Sequence, residues 1–138
     1  MDELEMRIAS RPQEVADVVA ALERFARDRG APPTVIHDLQ VAVDEVLANV
    51  IAHGRRGPAG EILVRLGQHV EGFVVEVEDD GIAFDPSQAP APDLSAPLRQ
   101  RRVGGLGVHL VRSLMDEVSY VRSDGKNVLR LLKRAVRA

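Results

Sequence analysis

The chain has 138 residues, of which 45% are hydrophobic and 28% are charged, and its formal net charge is −3 at pH 7. This length suits one domain with its own core, and the acidic balance argues against nucleic acid as a direct partner, because phosphate binding requires a basic surface. The absence of cysteine excludes disulfides, thiolate metal sites and cysteine nucleophiles. The acidic first residues and the lack of an apolar run of ~20 residues predict neither a signal peptide nor a membrane span, so we expect a cytoplasmic protein.

The N-terminal third should form one strand and two helices. Apolar and polar residues alternate over 4–8, which predicts a short strand. The segment 10–13, Ser-Arg-Pro-Gln, has the form of a capping box with proline in the first turn, so a helix should follow it and end just before Gly30. A second helix is expected over about 34–53, after a pair of prolines.

The rest of the chain reads as two hairpins separated by an irregular stretch and a helix. The predicted elements are strands at 62–67 and 73–77, an irregular stretch at 85–102, a helix at 106–117, and strands at 118–122 and 128–133. The irregular stretch holds four of the eight prolines and has the length of a functional lid. Together the elements predict one domain over 1–138, a two-layer α/β sandwich whose mostly antiparallel sheet is covered by three helices on one face.

One side of the second predicted helix carries Glu45 and Asn49, which are four residues apart and so point to the same region. A solvated helix face usually carries long basic side chains, yet none occurs between 35 and 54, and three alanines flank the pair. A carboxylate can take a proton from a hydroxyl, and an amide oxygen can ligate Mg²⁺. An ordinary polar helix surface is the alternative, and His53 fits either a site or a helix-end residue beside the dipole.

A carboxylate at a strand end is the second candidate feature. Asp79 closes a predicted strand immediately before the turn at Asp80 and Gly81. A carboxylate fixed at such an end can accept a hydrogen bond from an amino group such as that of adenine, and the glycine allows close backbone approach. Asp-Gly is also a common turn dipeptide, so simple turn chemistry remains an alternative.

A glycine-rich segment is the third candidate feature. The segment 104–107, Gly-Gly-Leu-Gly, precedes an amphipathic helical run, so backbone N–H groups there could face a phosphate at the positive end of the helix. Arg101 and Arg102, immediately upstream, could supply charge to a terminal phosphate. The segment is not a P-loop, because it lacks the lysine-serine/threonine ending, and a flexible joint before the helix is the alternative.

These three segments, in this order, resemble the asparagine box and the two glycine boxes of the ATPase superfamily of histidine kinases, DNA gyrase and Hsp90. Within that superfamily, the chain length and the run GGLGVHLVRSLMDEV at 104–118 resemble the bacterial anti-sigma factor serine/threonine kinases. The likeness covers nearly the whole chain. It implies a kinase that uses ATP and Mg²⁺ to phosphorylate an anti-sigma factor antagonist protein, that separately sequesters a sigma factor, often as a homodimer, and that regulates transcription by partner switching.

The resemblance also implies roles for individual residues. Glu45 would be the general base, and Asn49 would contact the nucleotide and coordinate Mg²⁺. Asp79 would receive the adenine amino group, Gly81 would line the base pocket, and 85–107 would form the ATP lid. The other residues expected to contact the nucleotide are His53, Ala83, Arg102, Gly104, Gly105, Leu106, Gly107 and Val108.

Two positions depart from the family pattern. Ala83 stands where the first glycine box usually has a second glycine. The segment 125–127, Gly-Lys-Asn, stands where many members of the superfamily outside this branch have a glycine-threonine pair, so that water or Asn127 would have to replace a hydrogen bond near adenine. These departures keep open a second hypothesis, a non-catalytic nucleotide-binding module for partner switching.

Two other classes of protein fit the sequence less well. The catalytic half of a two-component histidine kinase fits poorly, because the chain has no dimerising helical hairpin that carries a phosphoacceptor histidine. An α/β domain without a nucleotide site would require the three segments to fall in this order by coincidence.

Overall fold

The computed structural model describes residues 3–9, 11–53, 60–81 and 105–135. The elements in this part of the chain are β1 (Glu3–Ala9), α1 (Pro12–Asp28), α2 (Pro33–His53), β2 (Glu61–His69), β3 (Gly72–Asp79), α3 (Gly105–Leu114), β4 (Glu117–Ser123) and β5 (Lys126–Arg134). The strands form one antiparallel sheet in the order β1-β2-β3-β5-β4. Most of the predicted lid lies outside the described residues. None of the described helices is both long and apolar enough to cross a membrane.

The three helices pack on one face of the sheet, which confirms the predicted two-layer α/β sandwich. Alternate residues of the strands meet the apolar faces of the helices in a single core. Its fully buried side chains include Val18, Leu22, Leu39, Val43, Leu47, Ile62, Val64, Leu66, Val75, Val77 and Leu131. Burial of this apolar surface is the main term that favours folding.

The opposite face of the sheet carries many charged residues around three buried apolar ones, Leu63, Val74 and Leu132. Glu5, Arg65, Glu78 and Lys126 form a chain of ion pairs across four strands, with N···O distances of 3.4, 3.9 and 3.6 Å. Exposed pairs of this kind contribute only ~0–1 kcal/mol each. The stability of the sheet therefore comes chiefly from its helix-covered face.

The start of α1 differs from the predicted capping box. Arg11 is the N-cap residue but makes no capping hydrogen bond through its side chain, and Pro12 occupies the first turn as predicted. The side chain that reaches back is that of Glu14, whose Oε1 accepts a hydrogen bond from the Ala9 N–H at 3.3 Å. The predicted capping box was therefore wrong in its second member, because Glu14 and not Gln13 makes the contact. Its first member, Ser10, lies outside the described residues.

The end of α3 also differs from prediction, because the helix stops at Leu114 and not at Glu117. The Asp116 N–H donates to the Leu132 carbonyl at 2.9 Å, and the Asp116 carboxylate accepts from the Arg134 N–H at 2.6 Å. These bonds to β5 draw the chain out of the helix. Glu117 consequently becomes the first residue of β4.

The hairpin between β4 and β5 sets the register on which the candidate site depends. Asp124 and Gly125 both have positive φ, 54° and 75°, as a two-residue type I′ turn requires. Arg122 therefore lies opposite Asn127, and on the other side of β5 Asn127 lies opposite Asp79. A short turn signal thus places three polar residues in a row across the sheet.

Candidate functional site

Asp79, the last residue of β3, is 9% exposed and lies on the helix-covered face of the sheet. Its Oδ1 accepts two hydrogen bonds, from the Gly81 N–H at 2.8 Å and from Asn127 Nδ2 at 3.1 Å. Its Oδ2 accepts no hydrogen bond from any described residue. A buried carboxylate with one oxygen held by the protein and one still available is suited to accept a hydrogen bond from a ligand.

Asn127 on β5 holds that carboxylate in place and is itself held from β4. Asn127 is 6% exposed, and its Oδ1 accepts hydrogen bonds from the Tyr120 hydroxyl and from Arg122 Nη1, the latter at 3.0 Å. A guanidinium only donates and an ionised carboxylate only accepts, so only this orientation of the amide satisfies both neighbours. Arg122 Nη1 also donates to the Gly81 carbonyl at 3.0 Å. Three strands therefore hold the turn that follows Asp79.

Sequence reasoning did not single out Tyr120 or Arg122, although it named Asn127 as a substitute near adenine. The signal that could have found them is alternation along β4. Val118, Tyr120 and Arg122 share the face of the sheet that the helices cover. Arg122 is itself exposed, but its place opposite Asn127 brings a hydrogen-bond donor beside that amide.

Glu45 and Asn49 lie one turn apart on α2, as predicted. Asn49 is 7% exposed, Ala42 is fully buried and Glu45 is half-buried, so this side of the helix is not a solvated polar surface. Within the described residues the Asn49 carboxamide has no hydrogen-bond partner. A buried amide normally has one, and an oxygen ligand to a metal ion would satisfy it equally well.

An ion pair orients α2 relative to the sheet. Asp38, near the start of α2, accepts from Lys133 Nζ at 3.0 Å, and Lys133 lies opposite Phe73 at the start of β3. Asn49 lies further along α2 by about 16 Å of helix rise. We infer that the half of α2 with Glu45 and Asn49 extends toward the end of the sheet where β3 finishes at Asp79.

The glycine-rich segment supplies the start of α3. Residues 105–108 form the first turn of the helix rather than a loop before it. The N–H groups of a first turn have no partner within the helix and can face an anion. His53 is the last residue of α2, and its contact with nucleotide stays a prediction. Ala83, Arg102 and Gly104 lie outside the described residues, so their roles also stay predictions.

The described residues contain no group of three or more histidine or acidic side chains that could hold a metal ion. Mg²⁺ at phosphoryl-transfer sites keeps several waters and takes one or two protein oxygens together with oxygens of the substrate phosphates. A single amide oxygen from Asn49 fits a site of this shared kind.

Comparison with known proteins gives the family. Residues 8–133 match the histidine kinase-like ATPase domain. The chain is 27% identical over 132 residues to serine-protein kinase RsbW of Bacillus cereus and of Bacillus anthracis, over 93% of this chain and 82% of each relative. Its fold is similar to a crystal structure of the RsbU and RsbW domains of a Mycobacterium tuberculosis protein, with a TM-score of 0.72 at 20% identity. That match covers 100% of this chain and 34% of the other, so this chain spans about a third of the length of that solved chain.

The likeness to the Bacillus proteins extends over nearly the whole chain, as the motifs predicted, and the named relatives are serine-protein kinases. The predicted enzyme class, a serine/threonine kinase, is thereby confirmed, and so is the predicted fold. The chain belongs to the histidine kinase-like ATPase domain family.

Proposed function

We propose that this protein is a cytoplasmic anti-sigma factor that uses ATP and Mg²⁺ to phosphorylate a serine or threonine of an antagonist protein. The observation that carries the proposal is the buried Asp79 carboxylate, whose Oδ1 is committed to Gly81 and Asn127 while Oδ2 remains available. The names of the relatives support the transfer of phosphate to serine. Sequestration of a sigma factor rests on the resemblance to the anti-sigma factor kinases.

The described residues suggest how ATP would be recognised. Asp79 Oδ2 would accept a hydrogen bond from the adenine amino group, whereas guanine would present a carbonyl oxygen to the same acceptor and be disfavoured. The Asn49 amide oxygen would ligate Mg²⁺, which neutralises charge on the phosphates when it is bound. The first turn of α3, residues 105–108, would offer backbone N–H groups to phosphate oxygens.

Glu45 is proposed as the general base. Its carboxylate would take the proton of the acceptor hydroxyl while the hydroxyl oxygen bonds to the γ-phosphorus. The bond from the γ-phosphorus to the bridging oxygen breaks in the same transfer, so the products are a phosphoserine or phosphothreonine and ADP. Glu45 is half-buried on the same side of α2 as Asn49, which supports a role in the same site.

The test is to compare wild-type protein with Glu45→Gln and Asp44→Asn, using labelled ATP, Mg²⁺ and a panel of antagonist proteins from the same organism. Glu45→Gln should slow phosphate transfer by about 10²–10⁴-fold and leave the Kd for ADP, measured by calorimetry, unchanged. Asp44 is its exposed neighbour, so Asp44→Asn should transfer phosphate at the wild-type rate.

Two other outcomes would change the proposal. If the wild-type protein binds ADP but transfers phosphate to no antagonist, the non-catalytic nucleotide-binding module becomes the better description. If neither ATP nor ADP binds, with or without Mg²⁺, both descriptions are wrong.

A further inference from the structure

We propose that Asn127, Arg122 and Tyr120 are positioning residues that orient Asp79 and thereby determine the preference for adenine over guanine. We call these three residues the β4–β5 network. The inference rests on the proposed nucleotide site and adds to it a specificity role for residues outside the predicted motifs. It follows from three features of the network: its hydrogen bond to Asp79, the fixed orientation of the Asn127 amide, and the contacts of Arg122 on the edge strand β4.

The attachment determines which way the Asp79 carboxylate faces. The bond from the Gly81 N–H is a local turn contact that one strand end can make alone. The bond from Asn127 Nδ2, at 3.1 Å, comes from the neighbouring strand and engages the same Oδ1. With two donors on Oδ1, rotation of the carboxylate would break both bonds, so Oδ2 keeps one direction. Without Asn127, only the local contact would remain.

The orientation of the Asn127 amide is fixed by its neighbours on β4. Tyr120 and Arg122 both donate to Oδ1, which leaves the NH₂ group to face Asp79. An aspartate at position 127 would have nearly the same size, but it would place an oxygen against Asp79 Oδ1 instead of a donor. Two carboxylates at such a distance repel each other. Asn127→Asp should therefore weaken ADP binding more than Asn127→Ala does. A residue that only fills space in the core would not give this order.

Arg122 anchors the network to the turn itself. Its Nη1 bridges the Gly81 carbonyl and Asn127 Oδ1, each at 3.0 Å. The same guanidinium therefore fixes both the backbone just after Asp79 and the amide that holds Asp79. This double contact connects the edge strand β4 to the carboxylate at the end of β3.

The first experiment measures ADP and GDP affinities by calorimetry at pH 8, where aspartate carboxyl groups are ordinarily ionised. Asn127→Ala should weaken ADP binding about tenfold and leave GDP binding unchanged, because the loss is one hydrogen bond to a charged group. Asn127→Asp should weaken ADP binding further. Arg122→Gln and Tyr120→Phe should also reduce the ratio of ADP affinity to GDP affinity. Arg130→Gln, on the opposite face of β5, is the matched control and should change neither affinity.

The second experiment tests whether the network acts through Asp79. In an Asp79→Ala background, Asn127→Ala should cause no further loss of ADP affinity, because its target is already absent. Additive losses in the double variant would show that Asn127 stabilises the fold generally, and would overturn the inference. Thermal unfolding of each variant identifies those that are folded, and Arg122→Gln with Tyr120→Phe keeps the test decisive if Asn127→Ala does not fold.

Failure of the inference and failure of the proposed function give different results. If the wild-type protein binds neither ADP nor GDP, the proposed nucleotide site is wrong. If the wild-type protein prefers ADP and the network variants keep that preference, the site stands and the positioning role is wrong.

Discussion

The two ends of the sheet are held together by different chemistry. At the end where β3 finishes, which we call the site end, side chains bond to one another as well as to the Gly81 backbone. Asp79, Asn127, Tyr120 and Arg122 form a connected set of hydrogen bonds, and one carboxylate oxygen of Asp79 has no partner among the described residues. These hydrogen bonds therefore orient the Asp79 carboxylate while its Oδ2 can still accept a bond from a ligand.

At the other end of the sheet, where β3 begins, side chains satisfy backbone groups. Lys133 Nζ donates to the Leu114 carbonyl at 2.8 Å and pairs with Asp38 at 3.0 Å. The Asp116 carboxylate accepts from the Arg134 N–H at 2.6 Å. These contacts close the end of α3 and join it to α2 and β5. We call this region the opposite end.

The difference shows how one small sheet can separate stability from binding. Backbone groups capped at the opposite end stabilise the junction of helices and strands, because unsatisfied polar groups there would be costly. Asp79 Oδ2 at the site end can instead accept a hydrogen bond from a ligand. We therefore expect substitutions at the opposite end to change the free energy of unfolding, and substitutions at the site end to change nucleotide affinity and selectivity.

The largest effect on stability is expected for Gly72→Ala at the opposite end. Gly72 has a φ of 154°, and a Cβ there would lie 2.1 Å from the Lys133 carbonyl oxygen and 2.8 Å from the Ala135 nitrogen. These are backbone atoms of β5 and of the residue that follows it, so the paired segments would have to separate. We expect the free energy of unfolding in urea to fall by about 2–4 kcal/mol, with an unchanged Kd for ADP in the folded protein.

Gly30→Ala is the control for that substitution. Gly30 also has positive φ, 80°, but a Cβ there would meet nothing within 4 Å. Its expected loss is about 1 kcal/mol, from backbone strain alone. Equal losses for the two variants would show that the close approach to Lys133 is not what makes Gly72 necessary.

A smaller effect, on binding rather than stability, is expected for Asp79→Asn at the site end. The new amide oxygen would still accept from Gly81 and Asn127, so the NH₂ group would take the place of Oδ2. A donor would then face the adenine amino group, and ADP affinity should fall about 10–100-fold. Calorimetry with ADP and GDP measures this change.

Asp80→Asn is the matched control, because Asp80 is the exposed neighbour of Asp79. It should bind ADP with wild-type affinity. An Asp79→Asn variant that kept its adenine preference would contradict the assignment of Oδ2 to the ligand. Urea unfolding of both variants should give free energies within about 1 kcal/mol of wild type, because the hydrogen bonds within the protein are kept.

The parts of the site that sequence could predict are those that depend on local spacing. Glu45 and Asn49 follow from helical periodicity, and Asp79 follows from its place at the end of a strand before Gly81. Tyr120 and Arg122 could not be assigned in the same way. Their role depends on β5 pairing with β3, so that Asn127 meets Asp79 across a long separation in the chain.

The same distinction explains which parts of the fold were predicted correctly. Alternation and helical periodicity predicted the strands, the helices and their arrangement in two layers. The predicted end of α3 was wrong because the helix is ended by hydrogen bonds between Asp116 and β5. The local sequence does not reveal these bonds. The predicted start of α1 was wrong in detail because Glu14 makes the contact that was expected of Gln13.

The smallest effect is expected for Lys133→Met, which tests the opposite end without disturbing the backbone. The Lys133 side chain is 18% exposed, and its loss would leave the Asp38 carboxylate and the Leu114 carbonyl without this donor. We expect the free energy of unfolding to fall by about 1–2 kcal/mol. Lys126→Met is the control: the Lys126 side chain is 54% exposed and pairs with Glu78 at 3.6 Å, so its loss should stay below about 0.5 kcal/mol. Neither change should alter the Kd for ADP. A weaker Kd in Lys133→Met alone would show that the junction of α2, α3 and β5 also positions the nucleotide, and that the two ends are energetically coupled.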